Sequence, residues 1–499
     1  MIPVWLLAMG IVGLNILIWG LIGLCRLVDE HPLAAWRRRR ARRRARRHGG
    51  WGSATEVVPP VPVPDLSQVA VLMPAHNEEV VITESLAAII ALIPADQVHV
   101  VSDGSTDRTV ELAERMGVNV ISTATNLGKA GALEEAIARF GLVERFDYVL
   151  LLDADTRILP GYFEAALPMF ADQGVAAVAG SVRSAWDGDR LSLMGKILVC
   201  HRQRIYTLTQ RLIKFGQTWA RVNATHIVPG FASMYRTRVL PEIDMNPPGL
   251  VIEDFNMTFE LYRHKLGRVG FTLKAMAETQ DPVRLIDYVR QTRRWSLGLW
   301  QTVRRLPPRP SLFGLMLCLL LLELVTAAIT FLLLPLLVLV LVLPGLVPAA
   351  LTWPVEGPLY AVLSAHMSLP ALLFGILAPD FLLTCVVVLI ERRTRYFAAF
   401  LAFPVLRLID AYLAMRTLLP GMLRRSDGRW TSPERREVAE PVTGPVAGEP
   451  EEEITTVPSQ RVAPMVKLTV RPASVRSATP VGSEESSEVD ERKADAMPR

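Results

Sequence analysis

Three long apolar runs, Leu312 to Val342, Leu359 to Ile390 and Phe397 to Leu418, dictate that much of the C-terminal half of this chain folds in a bilayer. A helix needs about 20 apolar residues to cross the hydrocarbon core. The first two runs are longer than that, which predicts tilt or interruption, at Pro335 and Pro379. The third carries Arg407 and Asp410 three residues apart, on one helical face, and that face is expected to meet protein or water and not lipid. A further apolar segment, Pro3 to Leu24, lies near the N-terminus. Basic residues follow it instead of preceding it, which fits a retained anchor better than a cleaved leader.

The basic residues are Arg37 to Arg40, Arg42 to Arg44, Arg46 and Arg47. Beside a membrane helix, such a block is retained on the cytoplasmic side and attracts anionic lipid. The chain is therefore expected at the cell membrane as a multi-pass protein, its N-terminus outside and everything between the arginines and the next span in the cytoplasm. No recognition fold accompanies the charges, so nucleic acid is not an expected partner. Gly49 to Leu66, with Pro59, Pro60, Pro62 and Pro64, reads as an extended linker. The four cysteines (Cys25, Cys200, Cys318 and Cys385) show no C-x-x-C spacing, which argues against a zinc knuckle or disulfide scaffold.

Between the linker and the apolar runs the pattern changes to strands alternating with helices. Val69 to Met73, Val98 to Val101, Val118 to Ile121, Tyr148 to Leu152 and Val175 to Ala179 are strand candidates, with helices expected over 79–92, around 109–115 and over 129–140. That rhythm implies an α/β fold with a mostly parallel sheet covered on both faces, whose ligands sit at the carboxyl ends of the strands. Residues 191–213 and 253–264 read as further helices. From Asp281 to Arg305 Trp and Arg alternate with apolar residues, as in a helix lying at a membrane interface. The expected organisation is a membrane helix over 1–25, a basic juxtamembrane linker over 26–66, a cytoplasmic α/β domain over 67–281, interfacial helices over 282–310, a transmembrane region over 311–420, and a polar, disordered tail over 421–499.

The polar residues that stand out lie at the expected strand ends. They are Pro74-Ala75-His76-Asn77-Glu78-Glu79, Asp103-Gly104-Ser105-Thr106-Asp107, Asp153-Ala154-Asp155, Glu253-Asp254 before a helix, and Gln291-x-x-Arg294-Trp295. Asp103 can accept hydrogen bonds from a base or ribose, and Gly104 permits a tight turn. Two aspartates at i and i+2 beyond a strand can share a ribose hydroxyl and a hard cation. Arg294 suits bidentate phosphate contacts, Trp295 offers a flat face to a sugar ring, and Asp254 is the natural base for an acceptor hydroxyl.

These clusters, in this order, resemble the processive membrane glycosyltransferases of family 2, the group of cellulose, hyaluronan, chitin and poly-N-acetylglucosamine synthases. Gln291-Thr292-Arg293-Arg294-Trp295 matches their Q-x-x-R-W signature, and the matching motifs cover roughly Val69 to Trp295. The resemblance implies a GT-A-like nucleotide-sugar fold and inverting hexosyl transfer. The donor would be a UDP-sugar (UDP-GlcNAc or UDP-glucose), the acceptor a growing glycan or a lipid-linked sugar, and the cofactor Mg²⁺ or Mn²⁺. It implies donor contacts from Pro74, His76, Asn77, Glu78, Asp103, Lys129, Asp153 and Asp155. Metal ligation would fall to Asp155 with Asp153. The acceptor would meet Gly230, Phe231, Ala232, Glu253 and Trp295, and catalysis would rest on Asp254, Gln291, Arg294 and Trp295. The family often reads T-E-D where this chain has Ile252-Glu253-Asp254, a change that leaves the reacting carboxylate in place.

Overall fold

The computed structural model describes residues 13–30, 63–188 and 190–424. The part before the apolar helices is built on one eight-stranded sheet in the order β3-β2-β1-β4-β7-β6-β8-β5. Strands β1 (Val69–Ala75), β2 (Val98–Ser102) and β4 (Tyr148–Leu152) are buried at every position, as near-continuous apolar strands covered on both faces must be. They pair in parallel with one another and with β3 (Asn119–Ser122). The other half of the sheet is mixed. Strand β7 (Ala232–Arg236) runs antiparallel to both β4 and β6 (Val175–Ser184), β6 is parallel to β8 (Arg268–Thr279), and β5 (Thr156–Ile158) closes the edge antiparallel to β8. Strand β7, which sequence reading missed, lays Ala232 beside Leu152 at the end of β4.

Helices cover both faces. The ones that matter for the site are α1 (Leu14–Val28), α2 (Ile82–Ile90), α3 (Thr109–Arg115), α4 (Gly128–Arg139), α5 (Leu193–Leu208), α6 (Glu253–Arg263) and α7 (Leu285–Arg305). A π-helical turn, Thr209–Lys214, follows α5 directly. Helix α7 buries Leu299, Trp300 and Val303; Leu299 and Val303 pack with Phe259 of α6.

Among the described residues three helical segments are long and apolar enough to cross a membrane: α8 (Leu312–Leu346), α10 (Leu369–Glu391) and the segment Arg395–Leu423, whose last part is α11 (Phe403–Leu423). One expectation needs correction. The run from Leu359 to Ile390 is not one span. Helix α9 (Glu356–His366) ends before Ser368, whose hydroxyl accepts from Ala371 N at 3.3 Å and starts α10. The break therefore falls at a serine cap, while Pro379 and Pro335 lie inside their helices. Of the N-terminal apolar run, the described part is helix α1, which follows Gly13 (φ +88°) and continues to Val28. The segment before residue 13, the arginine block and the tail lie outside the described residues.

Helix α1 is fixed to the rest of the molecule by polar contacts and close approach. Asn15 donates from its backbone N (2.7 Å) and side chain (2.9 Å) to Glu323 of α8. Arg26 donates to Phe215 O at 2.7 Å and to Thr218 Oγ1 at 3.1 Å. Gly216 lies so close to α1 that a Cβ there would stand 2.2 Å from Trp19 O. A glycine is required at that crossing.

The apolar helices also carry buried charge. Asp380, at mid-length in α10 and 1% exposed, accepts from Arg204 of α5 at 2.6 Å and from Arg407 of α11 at 2.8 Å. Asp410 of α11 accepts from Tyr288 of α7 at 2.6 Å and faces His201 at 3.3 Å. The polar face expected around Arg407 and Asp410 is thus turned toward protein. Asp380→Ala would leave the buried Arg204 and the half-buried Arg407 without this carboxylate, and removing one partner of a buried pair costs about 3–5 kcal/mol. The expected result is a large drop in the unfolding temperature of purified protein in detergent; an unchanged melting curve would show that the bridge does not hold these helices together.

Candidate active site

At the end of β1 the chain turns sharply into the first polar cluster. Asn77 takes φ +55°, its backbone N donates to Ser105 Oγ at 3.1 Å, and its Oδ1 accepts from Thr106 N at 2.9 Å. His76 Nδ1 lies 2.6 Å from Asp103 O. Glu78, 1% exposed, donates from its backbone N to Thr109 Oγ1 at 2.9 Å. Pro74 sits buried inside β1, paired with Val101. His76, Asn77 and Glu78 form the turn after β1, and their hydrogen bonds hold against it the start of α3 and the loop that follows β2.

That loop carries Asp103, which is fully buried. One carboxylate oxygen accepts from Leu127 N at 2.8 Å and Thr123 Oγ1 at 3.0 Å. The other, Oδ2, is buried with no hydrogen-bond partner. A buried acceptor with nothing to accept is costly and points to a donor group on a ligand. Gly104 has φ +63°, and a Cβ on it would reach 2.9 Å from Asn126 N, so only glycine passes here.

Lys129, in the first turn of α4, is the centre of the site. Its ammonium lies 2.7 Å from Asp153 Oδ1, 2.7 Å from Glu253 Oε1 and 3.4 Å from Gly230 O. Three segments that are far apart in sequence meet on one cation. Gly230 is glycine for a reason: a Cβ would stand 2.9 Å from the Lys129 ammonium and 2.8 Å from Glu253. Phe231 O accepts from Asp153 N at 3.1 Å, so the 230–232 turn and the D-x-D turn are hydrogen-bonded neighbours. Burial works against the charge on Lys129, but Asp153 and Glu253 outweigh it and hold its pKa above the ordinary lysine range. Burial raises the Glu253 carboxyl and Lys129 pulls it down, with a net lowering.

Asp254 follows at the start of α6 and accepts from Phe255 N at 2.7 Å. Burial first, then the charge of adjacent Glu253, push its carboxyl up to about 7. A base for neutral pH is thereby set beside a locked salt bridge. Arg294 lines the same small cleft with Gly128, Lys129, Asn246, Ile252 and Glu253.

The D-x-D pair is unequal. Asp153 is engaged by Lys129, while Asp155 stands beyond it, with Thr156 Oγ1 at 3.3 Å. Burial and the nearby Asp155 charge raise the Asp153 carboxyl despite Lys129. A cation would relieve that repulsion. Among the described residues no cluster of three or more His, Cys, Asp or Glu side chains is arranged to hold a metal. A Mg²⁺ ion needs only one or two carboxylates when phosphate oxygens and water complete its shell, so Asp155 with Asp153 fits such an ion.

Gln291 and Trp295 are brought to this side of the molecule by α7, but their contacts are with a residue that sequence reading missed. Arg202 of α5 donates to Gln291 Oε1 at 2.9 Å, and its guanidinium lies 4.4 Å from the Trp295 ring centroid. Also missed were Tyr206 and Asp281, joined at 2.9 Å. The run His201-Arg202-Gln203-Arg204, four polar residues in a row within an otherwise apolar helix, was the available signal.

The family described as "Glycosyltransferase like family 2" matches residues 64–298. Over 246 residues the chain is 26% identical to a poly-beta-1,6-N-acetyl-D-glucosamine synthase of Staphylococcus aureus, covering 48% of this chain and 56% of the relative. It is 28% identical over 247 residues to the probable glycosyltransferase YdaM of Bacillus subtilis, covering 47% and 56%. The match thus spans little more than half the length of these curated relatives. Among solved structures, a mannosyltransferase from Pyrobaculum calidifontis, in complex with GDP-Man and Mn²⁺, aligns over 80% of this chain and 99% of its own, with 18% identity and a TM-score of 0.46.

Replacing Lys129 tests its central position. Lys129→Met leaves Glu253 buried and unpaired, which raises its folded-state pKa above the unfolded value of about 4.3. The native state then binds more protons than the unfolded state, so stability of the variant falls as pH rises between those two values. Thermal unfolding is expected to show a deficit of about 3 kcal/mol at pH 8 that narrows toward pH 5. A deficit independent of pH would mean that the lost interaction is not the Glu253 ion pair.

Proposed function

The chain carries a family 2 glycosyltransferase domain over residues 64–298, and on that premise we propose that it transfers a hexosyl unit from a UDP-sugar, with inversion, to a growing polysaccharide at the cytoplasmic face of a membrane. The observation that carries the reading is the convergence of Asp153, Glu253 and Gly230 on Lys129, with Arg294 lining the same cleft and Asp254 next to Glu253 at the start of α6. It joins the donor-side, acceptor-side and base-bearing segments in one place. UDP-GlcNAc and UDP-glucose are the favoured donors, the first because the Staphylococcus relative is by name a poly-N-acetylglucosamine synthase.

In this reading the unpartnered Oδ2 of Asp103 accepts from the nucleobase. Asp155, with Asp153, would hold Mg²⁺ or Mn²⁺, which when bound offsets charge developing on the departing diphosphate. Arg294 adds a planar cation on the diphosphate side. Asp254 accepts the proton of the acceptor hydroxyl as that oxygen attacks the anomeric carbon from the face opposite UDP, and the anomeric C–O bond to UDP breaks as the new one forms. Lys129 keeps Glu253 ionised, and that charge keeps Asp254 basic enough for the task. Membrane lipid and the glycan are the remaining partners, with the domain on the cytoplasmic side as the arginine block implies.

A second acceptor is possible in principle: a single transfer to a polyprenyl phosphate or glycolipid needs only an interfacial site. Radiolabelled donor separates the two, since the synthase reading expects a ladder or polymer and is sunk by a single lipid-extractable product. Asp254→Asn should keep UDP affinity and lose transfer by about 100-fold or more. In the wild type, transfer should fall about tenfold per unit as pH drops below about 7, because the base must be ionised. A flat profile from pH 5 to 8 would remove Asp254 from this role. Chelation by EDTA should abolish transfer, with Mg²⁺ or Mn²⁺ restoring it.

A further inference from the structure

The polar stretch of α5 meets α7 at one point, and the geometry there is unusually specific. Arg202 is 3% exposed. A single nitrogen, Nη2, donates to Gln291 Oε1 and Thr292 Oγ1, each at 2.9 Å. The guanidinium carbon stands 4.5 Å from the Tyr288 ring centroid and 4.4 Å from that of Trp295. Positions 288, 291, 292 and 295 lie at i, i+3, i+4 and i+7, one continuous helix face. Tyr288 and Trp295 are two turns apart, about 10.5 Å along the axis, and the guanidinium fills the gap between their rings. Tyr288 is itself tied to α11 through Asp410 at 2.6 Å.

We propose that Arg202 is a positioning residue for sugar transfer, fixing the Trp295 indole and the Gln291 amide by a planar guanidinium wedged between two aromatic rings. The proposal rests on the transferase reading given above. With Arg202 over one face of Trp295, only the opposite face is left to receive a sugar ring. The contact is one that arginine alone supplies: a lysine ammonium could donate to both acceptors from its one nitrogen, but it has no plane to lie between two rings. A guanidinium stacked on an aromatic ring and hydrogen-bonded at its edge restrains both position and tilt, and errors of about 1 Å in such alignment cost about 100-fold in rate.

The test uses full-length protein purified in detergent and labelled with 5-fluorotryptophan, the Trp295 resonance being assigned by its loss in Trp295→Phe. In Arg202→Met and Arg202→Lys the ¹⁹F resonance of Trp295 should shift or broaden, whether or not a donor has been found. Acceptor-dependent transfer should fall about 10–100-fold, while UDP affinity and acceptor-independent hydrolysis of the UDP-sugar stay within about twofold of wild type. An unmoved Trp295 resonance overturns the proposal, as does full transfer by Arg202→Lys. Equal losses of UDP affinity, hydrolysis and transfer overturn it in favour of a merely structural role. If wild-type protein releases UDP from no nucleotide sugar, the transferase reading fails, and the resonance still decides whether Arg202 fixes Trp295. Should Arg202→Met not fold, Thr292→Val removes one acceptor at constant volume. It should give the same pattern in smaller measure, and its absence counts against the proposal.

Discussion

The ammonium of Lys129 is the interaction on which the site depends. Like charges converge there: Asp153, Glu253 and Asp254 all come to the carboxyl end of the sheet, and the cost of gathering them would scatter the loops unless a cation stood among them. One side chain in the first turn of α4 meets that need for two carboxylates and leaves the third, Asp254, with its charge disfavoured. The arrangement separates structure from chemistry. Asp153 and Glu253 are held by that cation, whereas Asp254 is the carboxylate to which the proposed reading gives the proton transfer. The two glycines at 104 and 230 follow from the same crowding, since each stands where a side chain would collide with a partner of the site.

A second set of polar contacts ties this domain to the apolar helices. Helix α5 faces the sheet through Gln210, just beyond its end, where the side chain accepts from Val182 N at 2.8 Å and donates to Val182 O at 2.8 Å. On its other side Arg204 enters the carboxylate of Asp380. Between these, Arg202 meets α7. One helix thus touches the donor-side sheet, the Q-x-x-R-W helix and two apolar helices, and the charged residues inside the bundle are paired as lipid-buried charge requires.

Much of this was legible in advance. Three of the five clusters lie at strand ends and a fourth at a helix start, because apolar strands, glycine turns and helix starts have local signatures; Asp103, Asp153 and Asp254 could be picked out from them, whereas Lys129 was reached only through the family resemblance. What was not legible had long-range causes. Strand β7 carries no strong pattern of its own and is a strand because β4 and β6 flank it. The break at Ser368 depends on a serine cap outweighing an apolar run that continues on both sides. Arg202 gave no sign of its partners, since its contacts span some 90 positions of sequence. Arg407 and Asp410 could be placed on one helical face, but which groups they would meet across the bundle is not written in local spacing.

The close crossing of Gly216 on Trp19 has a consequence for how the chain is made. Helix α1 is synthesised early, yet the surface it locks onto, from the π-helical turn to Thr218, is nearly 200 residues further along, and Glu323, which receives Asn15, is later still. At a synthesis rate of about 5–20 residues per second, the helix waits roughly 10–40 s before its seat exists. During that interval Asn15, buried in the finished protein, has only lipid headgroups and water to satisfy it, and Arg26 has in addition only its neighbour Glu30, at 2.8 Å. Helix α1, the first of the described helices to be synthesised, is therefore among the last elements to be fixed.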